Sequence, residues 1–225
     1  MKILQIGTGA MGKLLAAELK EDNELTALRH SIPMDKEDFD AVIDFSHPDN
    51  LANLIKYLEV HPTPVVIATT GYSDAQVKSI QVLAEKMPVL FSSNMSIGVT
   101  LMNRLVREMT CVLADGFDIE LVEKHHNKKI DSPSGTAIML LKSINENLDY
   151  ELVYGRSGVK PRGRKEIGVH SLRAGTIIGE HEVIYSGEDE ILSIKHEALS
   201  KMIFVKGAIK GMKWLMKQDK GLYSM

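Results

Sequence analysis

The chain has 225 residues, a formal net charge of −3 and a single cysteine. That length builds one large or two small domains around a sizeable core, and basic residues scattered rather than bunched exclude nucleic acid as the main partner. Cys111 makes no internal disulfide, no run approaches the roughly 20 apolar residues of a bilayer span, and no basic-then-apolar leader opens the chain, so a soluble, cytoplasmic protein without a membrane partner is expected.

The first element is an apolar run over 2–6 leading straight into Gly7-Thr8-Gly9-Ala10-Met11-Gly12, after which Leu14, Leu15, Ala16 and Leu19 keep helical spacing. Strand, glycine turn and helix in that order predict a dinucleotide site. Gly7 serves the tight turn, Gly9 the close approach of backbone to a pyrophosphate, and Gly12 the packing of helix on strand. A second strand over 25–28 ends at Arg29-His30, where the residue that reads the adenosine ribose stands. An acid there would favour NADH; arginine pairs with a phosphate, so NADPH is expected in preference to NADH.

A third strand covers 41–45, and Ser46-His47-Pro48-Asp49 caps a helix carrying Leu51, Leu54, Ile55 and Leu58. The run over 64–68 is apolar throughout, as parallel strands buried on both faces are. Thr69-Thr70-Gly71 follows it, then a helix over 74–85, a fifth strand over 88–91 and the loop Ser92-Ser93-Asn94-Met95. Strands alternating with helices predict a Rossmann-type parallel sheet, with ligands in loops at the C-terminal edge, here those at Gly7, Ala68 and Ser92.

A helix over 97–113 contains Cys111 in a helical pattern with Leu101, Leu105 and Val112, where a buried structural thiol is expected rather than a nucleophile. The pattern then changes. Strand-like runs at 118–123, 167–173, 175–178, 181–185 and 191–196 read as a second, α+β domain with a mainly open mixed sheet, and 200–217 returns to helical spacing. The expected division is 1–96 plus 201–225 for the dinucleotide and 97–200 for substrate and oligomerisation. Arg156 to Lys165 reads as a polar loop.

The chemistry concentrates in Glu123-Lys-His-His-Asn-Lys-Lys-Ile-Asp-Ser-Pro-Ser-Gly-Thr-Ala137. A helix is predicted to begin near 133–136, with Ser132 as N-cap and Pro133 in its first turn. Its first N–H groups lack intrahelical partners and would suit a carboxylate. His125 and His126 can donate protons near neutral pH, and Lys128 and Lys129 add positive charge, so the run suits a dicarboxylate. The plain alternative is a solvated basic loop, which the Pro-Ser-Gly-Thr that follows disfavours. A metal site finds no support, because neighbouring histidines point apart and no cysteine or patterned carboxylate completes a ligand set.

The run Glu123-x-His-His-Asn-Lys-Lys-x-Asp-x-Pro-Ser-Gly-Thr-Ala137 resembles the signature of the 4-hydroxy-tetrahydrodipicolinate reductase, or dihydrodipicolinate reductase, family; Arg173-Ala-Gly-Thr-Ile-Ile-Gly-Glu-His181 and Lys220-Gly-Leu-Tyr223 resemble it too. The resemblance implies NAD(P)H-dependent reduction of the cyclic imine formed from 4-hydroxy-tetrahydrodipicolinate, giving tetrahydrodipicolinate in diaminopimelate and lysine biosynthesis. It implies His125 as proton donor, Lys129 as the other acid or charge stabiliser, and His126 with Ser134, Gly135 and Thr136 at the substrate carboxylate. For the cofactor it implies residues 7–12, Ala68, Thr69, Thr70, Ser92, Ser93, Asn94 and Met95. A homotetramer built through the sheet of the second domain is also implied. Met95 stands where many members carry Phe, and the stretch between His30 and Phe39 is shorter than in longer members. A semialdehyde dehydrogenase would need a nucleophilic cysteine on a loop, and a cofactor sensor would have no use for His125, Lys129 and the Ser-Gly-Thr turn together.

Overall fold

The computed structural model describes residues 1–29, 32 and 38–225; His30, expected at the cofactor, lies outside the described residues. The chain forms two compact units, residues 1–96 with 202–225, and residues 97–201.

The first unit is a six-stranded sheet in which every neighbouring pair runs parallel. Its strands are β1 (Lys2–Ile6), β2 (Glu24–Leu28), β3 (Ala41–Asp44), β4 (Val65–Ile67), β5 (Pro88–Phe91) and β11 (Gly221–Tyr223), in the order β11-β5-β4-β3-β1-β2. β3 and β4 are buried at every residue, which explains their unbroken apolar character. Helices α1 (Ala10–Leu19), α2 (Leu51–Val60), α3 (Asp74–Ala84) and α6 (Met202–Leu215) supply two separate cores. Leu54, Leu58 and Leu83 pack with Val42 and Val65 in one; Leu15, Val205 and Met212 pack with Ile43 and Val66 in the other. α6 approaches closely because Gly207 has no side chain: a Cβ there would lie 1.7 Å from the Met95 carbonyl oxygen. The strand at Gly221–Tyr223 was not predicted, since three residues carry no readable period.

The second unit is a mixed five-stranded sheet with α4 (Ile97–Leu113) and α5 (Gly135–Ile144) over one face. Its strands β6 (Asp118–His125), β7 (Glu151–Tyr154), β8 (Glu166–Arg173), β9 (Glu180–Ser186) and β10 (Ile191–Glu197) run in the order β10-β9-β6-β8-β7. β8 is parallel to β6 and β7, whereas β9 is antiparallel to β6 and β10. No helix of this unit covers the other face, which carries Glu120, Val122, Lys124, His170 and Leu172.

Four expectations about this unit need correction. Cys111, expected as a buried thiol, is exposed, as are Leu101 and Val112; α4 turns Met102, Val106 and Thr110 inward instead. The run 175–178 is a turn, not a strand: Gly175 has φ +48° and its carbonyl accepts from Asn127 N–H. β7 was missed, and β6 runs on to His125, so His125 ends a strand rather than sitting in a loop. Finally, Ser134, not Ser132, caps α5, and Pro133 precedes the helix. The Ser134 hydroxyl accepts from Ala137 N–H at 3.1 Å, and the residue is anchored there through Glu123 and His181.

Candidate active site

β6 carries its inward face beyond the apolar core. Ile119 and Leu121 pack under α4 and α5, and the next two residues of the same face are Glu123 and His125, 0% and 9% exposed. A carboxylate at that depth must be paired. Arg173, opposite His125 in the β6–β8 register, grips it with both terminal nitrogens, Nη1 to Oε2 at 2.8 Å and Nη2 to Oε1 at 2.7 Å. Ser134 N–H donates to Oε1 at 3.1 Å, and His125 Nδ1 lies 2.6 Å from Oε2. Burial pushes the Glu123 carboxyl up, but the Arg173 guanidinium and the other donors outweigh it and hold it at about 2. An ionised carboxylate only accepts, so His125 Nδ1 donates and Nε2 is left for another partner. Gly179 stands at that edge of the ring: a Cβ there would lie 3.1 Å from Nε2, and its three nearest neighbours would all be atoms of the His125 ring. The missing side chain leaves a notch.

The ring of His181 meets that of His125 edge-on, centroids 5.2 Å apart, and its Nε2 lies 2.8 Å from the Ser134 hydroxyl. Burial, with His125 beside it, holds His181 down to about 4. Burial also lowers His125, against the pull of Glu123. Ser134 is 2% exposed, with its N–H and hydroxyl engaged inside the protein.

Lys129 Nζ is held between both Asp131 carboxylate oxygens, at 2.7 and 2.8 Å, and the Lys129 N–H closes a turn on the His126 carbonyl. Arg173 reaches this turn too, Nη2 donating to the Asp131 carbonyl at 2.7 Å. One guanidinium thus ties the end of β6 to the loop that carries Lys129. Nδ1 of His126 is buried with no hydrogen-bond partner, a stranded acceptor or donor of the kind a ligand would satisfy. Gly135 and Thr136 occupy the first two positions of α5, where N–H groups have no acceptor within a helix. Among the described residues, no group of three His, Cys, Asp or Glu side chains is placed to hold a metal ion.

In the first unit, the glycine turn is shaped as its spacing predicts. Gly7 has φ +98°, and a Cβ there would lie 2.1 Å from the Phe45 carbonyl oxygen; one on Gly12 would lie 2.0 Å from the Gly7 carbonyl oxygen. A Cβ on Gly9 would meet nothing within 4 Å, so the tip of the turn is open. Gln5, 1% exposed, fastens the turn from below, its amide donating to the carbonyls of Gly7 at 2.7 Å and Gly12 at 2.8 Å. α1 starts at Ala10 with Gly9 as N-cap and no acidic residue in its first turn, which leaves backbone donors for an anion. A cavity of about 330 Å³ is lined by Gly7, Thr8, Gly9, Arg29, Phe45, Ser46 and His47. A second, of about 720 Å³, shares Phe45, Ser46 and His47 and continues along Met11, Ala68, Thr69, Thr70 and Tyr72. Ser92, Ser93 and Asn94 form a turn after β5, closed by the Ser92 hydroxyl on the Asn94 carbonyl, and the Met95 side chain is buried in the core. Open tip, helix start and Arg29 on one cavity fit the phosphates of a dinucleotide.

Two family models match the chain: Dihydrodipicolinate reductase, N-terminus, over residues 1–95, and Dihydrodipicolinate reductase, C-terminus, over residues 98–225. The chain belongs to the dihydrodipicolinate reductase family. It is 44% identical to 4-hydroxy-tetrahydrodipicolinate reductase of Brachyspira hyodysenteriae, over 100% of this chain and 98% of that one. It is 43% identical to the enzyme of the same name from Caldanaerobacter subterraneus subsp. tengcongensis, over 96% and 93%. The fold matches dipicolinate-bound dihydrodipicolinate reductase from Paenisporosarcina sp. TG-14 with a TM-score of 0.79 at 21% identity, covering 100% of this chain and 97% of that one. It matches scyllo-inositol dehydrogenase from Lactobacillus casei with bound NAD(H) and scyllo-inositol less closely, TM-score 0.59 at 14% identity over 99% and 91%. Membership of the dihydrodipicolinate reductase family makes the chain an oxidoreductase, of a family whose reaction serves diaminopimelate and lysine biosynthesis. The resemblance read in the run from Glu123 to Ala137 and the two-part α/β and α+β fold class both hold.

Several residues around these sites were not singled out from sequence. Phe45, Ser46 and His47 follow β3 at the ligand-bearing edge, but Phe45 read as the end of the third strand and Ser46 and His47 as part of a helix cap; His47 does cap a short turn by accepting from Asp49 N–H. Arg173 and Gly179 lie in a run that matched the dihydrodipicolinate reductase family but had no stated role; only the strand pairing brings them to His125.

Proposed function

We propose that the chain reduces, at the expense of NAD(P)H, the cyclic imine derived from 4-hydroxy-tetrahydrodipicolinate to tetrahydrodipicolinate, with His125 and Lys129 as its acid and charge-stabilising groups. The observation that carries this reading is the placement of His125 Nε2, Lys129 Nζ, the stranded His126 Nδ1 and the start of α5 on one contiguous run of the second unit. The bound nicotinamide would supply the hydride. The residues of this chain do the remainder: the α5 start at Gly135 and Thr136, with Lys129, holds a carboxylate, and His126 satisfies its buried Nδ1 on the same ligand. After hydride addition an enamine carbon must gain a proton. His125 can deliver it from Nε2, because its other nitrogen is already committed to Glu123. A coupled assay that makes the unstable substrate in place and follows nicotinamide absorbance tests the proposal; no substrate-dependent oxidation of either cofactor would overturn it.

Within the same proposal, NADPH is preferred to NADH. Arg29 lines the cavity of the glycine turn, where it can pair with the ribose phosphate. The expected preference is on the order of tenfold, the worth of one charged hydrogen bond at about 1.5 kcal/mol. Arg29→Ala should weaken NADPH binding and leave NADH almost untouched; fluorescence titration showing equal losses for both would refute the assignment.

The proposal extends to a cytoplasmic homotetramer built through the helix-free face of the second unit's sheet. Leu172 and, on the edge strand β10, Ile191 are exposed there at 44% and 71%, apolar surface that an interface would cover. No described helix is long and apolar enough to cross a membrane. Light scattering at micromolar concentration should give a tetramer, and a monomer would defeat the idea.

A further inference from the structure

Glu123 has been given no part in binding or proton transfer, yet it is a fully buried charge beside the proposed proton donor. We infer that Glu123 is a positioning residue: clamped by Arg173 and by Ser134 N–H, its carboxylate holds His125 as the Nδ1–H tautomer with Nε2 turned to the notch at Gly179, so that every proton His125 exchanges passes through Nε2. The inference rests on the reading of His125 as a proton-transferring group.

Three observations carry it. The period of a strand puts residues 123 and 125 on one face, and the 2.6 Å contact between carboxylate and ring is shorter than those Glu123 receives from Arg173 and Ser134 N–H. Both oxygens of Glu123 are gripped by Arg173, so the carboxylate cannot turn away from the ring. The ring is braced on its side by His181, and Gly179 has no side chain to fill the space at its Nε2 edge. A buried ion pair is a poor device for stability alone, since well-packed apolar residues do as well. As a device for orienting an imidazole it has a clear use, because the second nitrogen's bond decides which one exchanges protons. In the reaction the proton leaves Nε2 for the substrate carbon and is replaced there from solvent, while the Nδ1–H bond to Glu123 stays intact.

The charged groups that face His125 are Glu123 on its own strand, Arg173 from β8, His181 from β9 and Lys129 from the following loop. Only Glu123 favours the imidazolium. Its removal should therefore move the high-pH limb of the kcat profile, where the donor loses its proton, to lower pH.

Nitrogen-15 spectra of the histidines in the wild-type enzyme, with the His125 signal assigned by its loss in His125→Ala, read the tautomer without any assay. The expected result is Nδ1–H in the neutral ring. Glu123→Gln should lower kcat by about ten- to a thousandfold with the KM for the imine within about threefold, and Glu123→Asp, which keeps the charge, should recover much of the loss. If Glu123→Gln leaves too little folded enzyme because Arg173 is stranded, the wild-type tautomer decides alone. A wild-type Nε2–H tautomer, or Glu123→Gln with unchanged kcat and pH limb, would overturn the positioning role alone. Normal turnover by His125→Ala would instead strike the underlying reading of His125, and the role with it.

Discussion

Replacing Lys129 or His125 with alanine is expected to lower turnover by about two to four powers of ten, the span usual for a lost general acid or charge stabiliser. Cofactor affinity should hardly change, because the cavities of the glycine turn are lined from the first unit and both side chains belong to the second. The two variants should also differ in how well they fold. Lys129 is tied at the surface to Asp131, so its removal costs little structure. His125 is buried, and alanine would leave a small void beside a Glu123 that still has Arg173. Steady-state kinetics with a cofactor titration on each variant check this; a normal kcat at either position would remove that residue from the mechanism.

Arg173→Met should destabilise the second unit by about 3 kcal/mol or more, since it strands a buried carboxylate. Adding Glu123→Gln to it should recover part of the loss, because no charge is then left without a partner. Acid should narrow the gap between wild type and Arg173→Met. The folded Glu123 is held at about 2 against an ordinary 4.5, so its stabilising contribution is complete above pH 4.5 and is lost as pH falls toward 2. His181 gives the wild type an earlier loss. Held at about 4 against an ordinary 6.5, it stays neutral in the folded state while the unfolded chain takes up a proton, and stability drops between pH 6.5 and 4. Urea unfolding at pH 7 and near pH 3 measures both effects. A penalty below about 1 kcal/mol at pH 7 would mean that the pair is not what holds this end of β6.

The parts legible in the sequence are those in which neighbours in the chain are neighbours in space. The glycine turn could be read because three glycines at fixed spacing each answer a local steric need, and Gly7 and Gly12 do face carbonyl oxygens at distances no Cβ tolerates. The run from His125 to Thr136 could be read because strand end, turn and helix start follow without a break. Arg173 could not: it meets Glu123 only because β8 pairs in parallel with β6 after an intervening helix and strand. A faint signal did exist. Along β6 the acids at 118 and 120 point away from the core residues Ile119 and Leu121, and Val122 followed by Glu123 reverses that order, turning a carboxylate inward. The helix cap was misassigned because Ser132 and Ser134 are equally good caps locally, and only the distant His181 and the Glu123 carboxylate select Ser134.

Gln5 was read only as part of an apolar strand. It belongs to β1, which lies inside the sheet between β2 and β3, and its amide spans the two carbonyls on which the glycine turn rests. The turn is therefore bolted to an interior strand of the first unit's sheet before any ligand arrives. A dinucleotide entering it need not fund the ordering of a loose loop, so the binding free energy of its phosphates is available to hold the rest of the molecule in place.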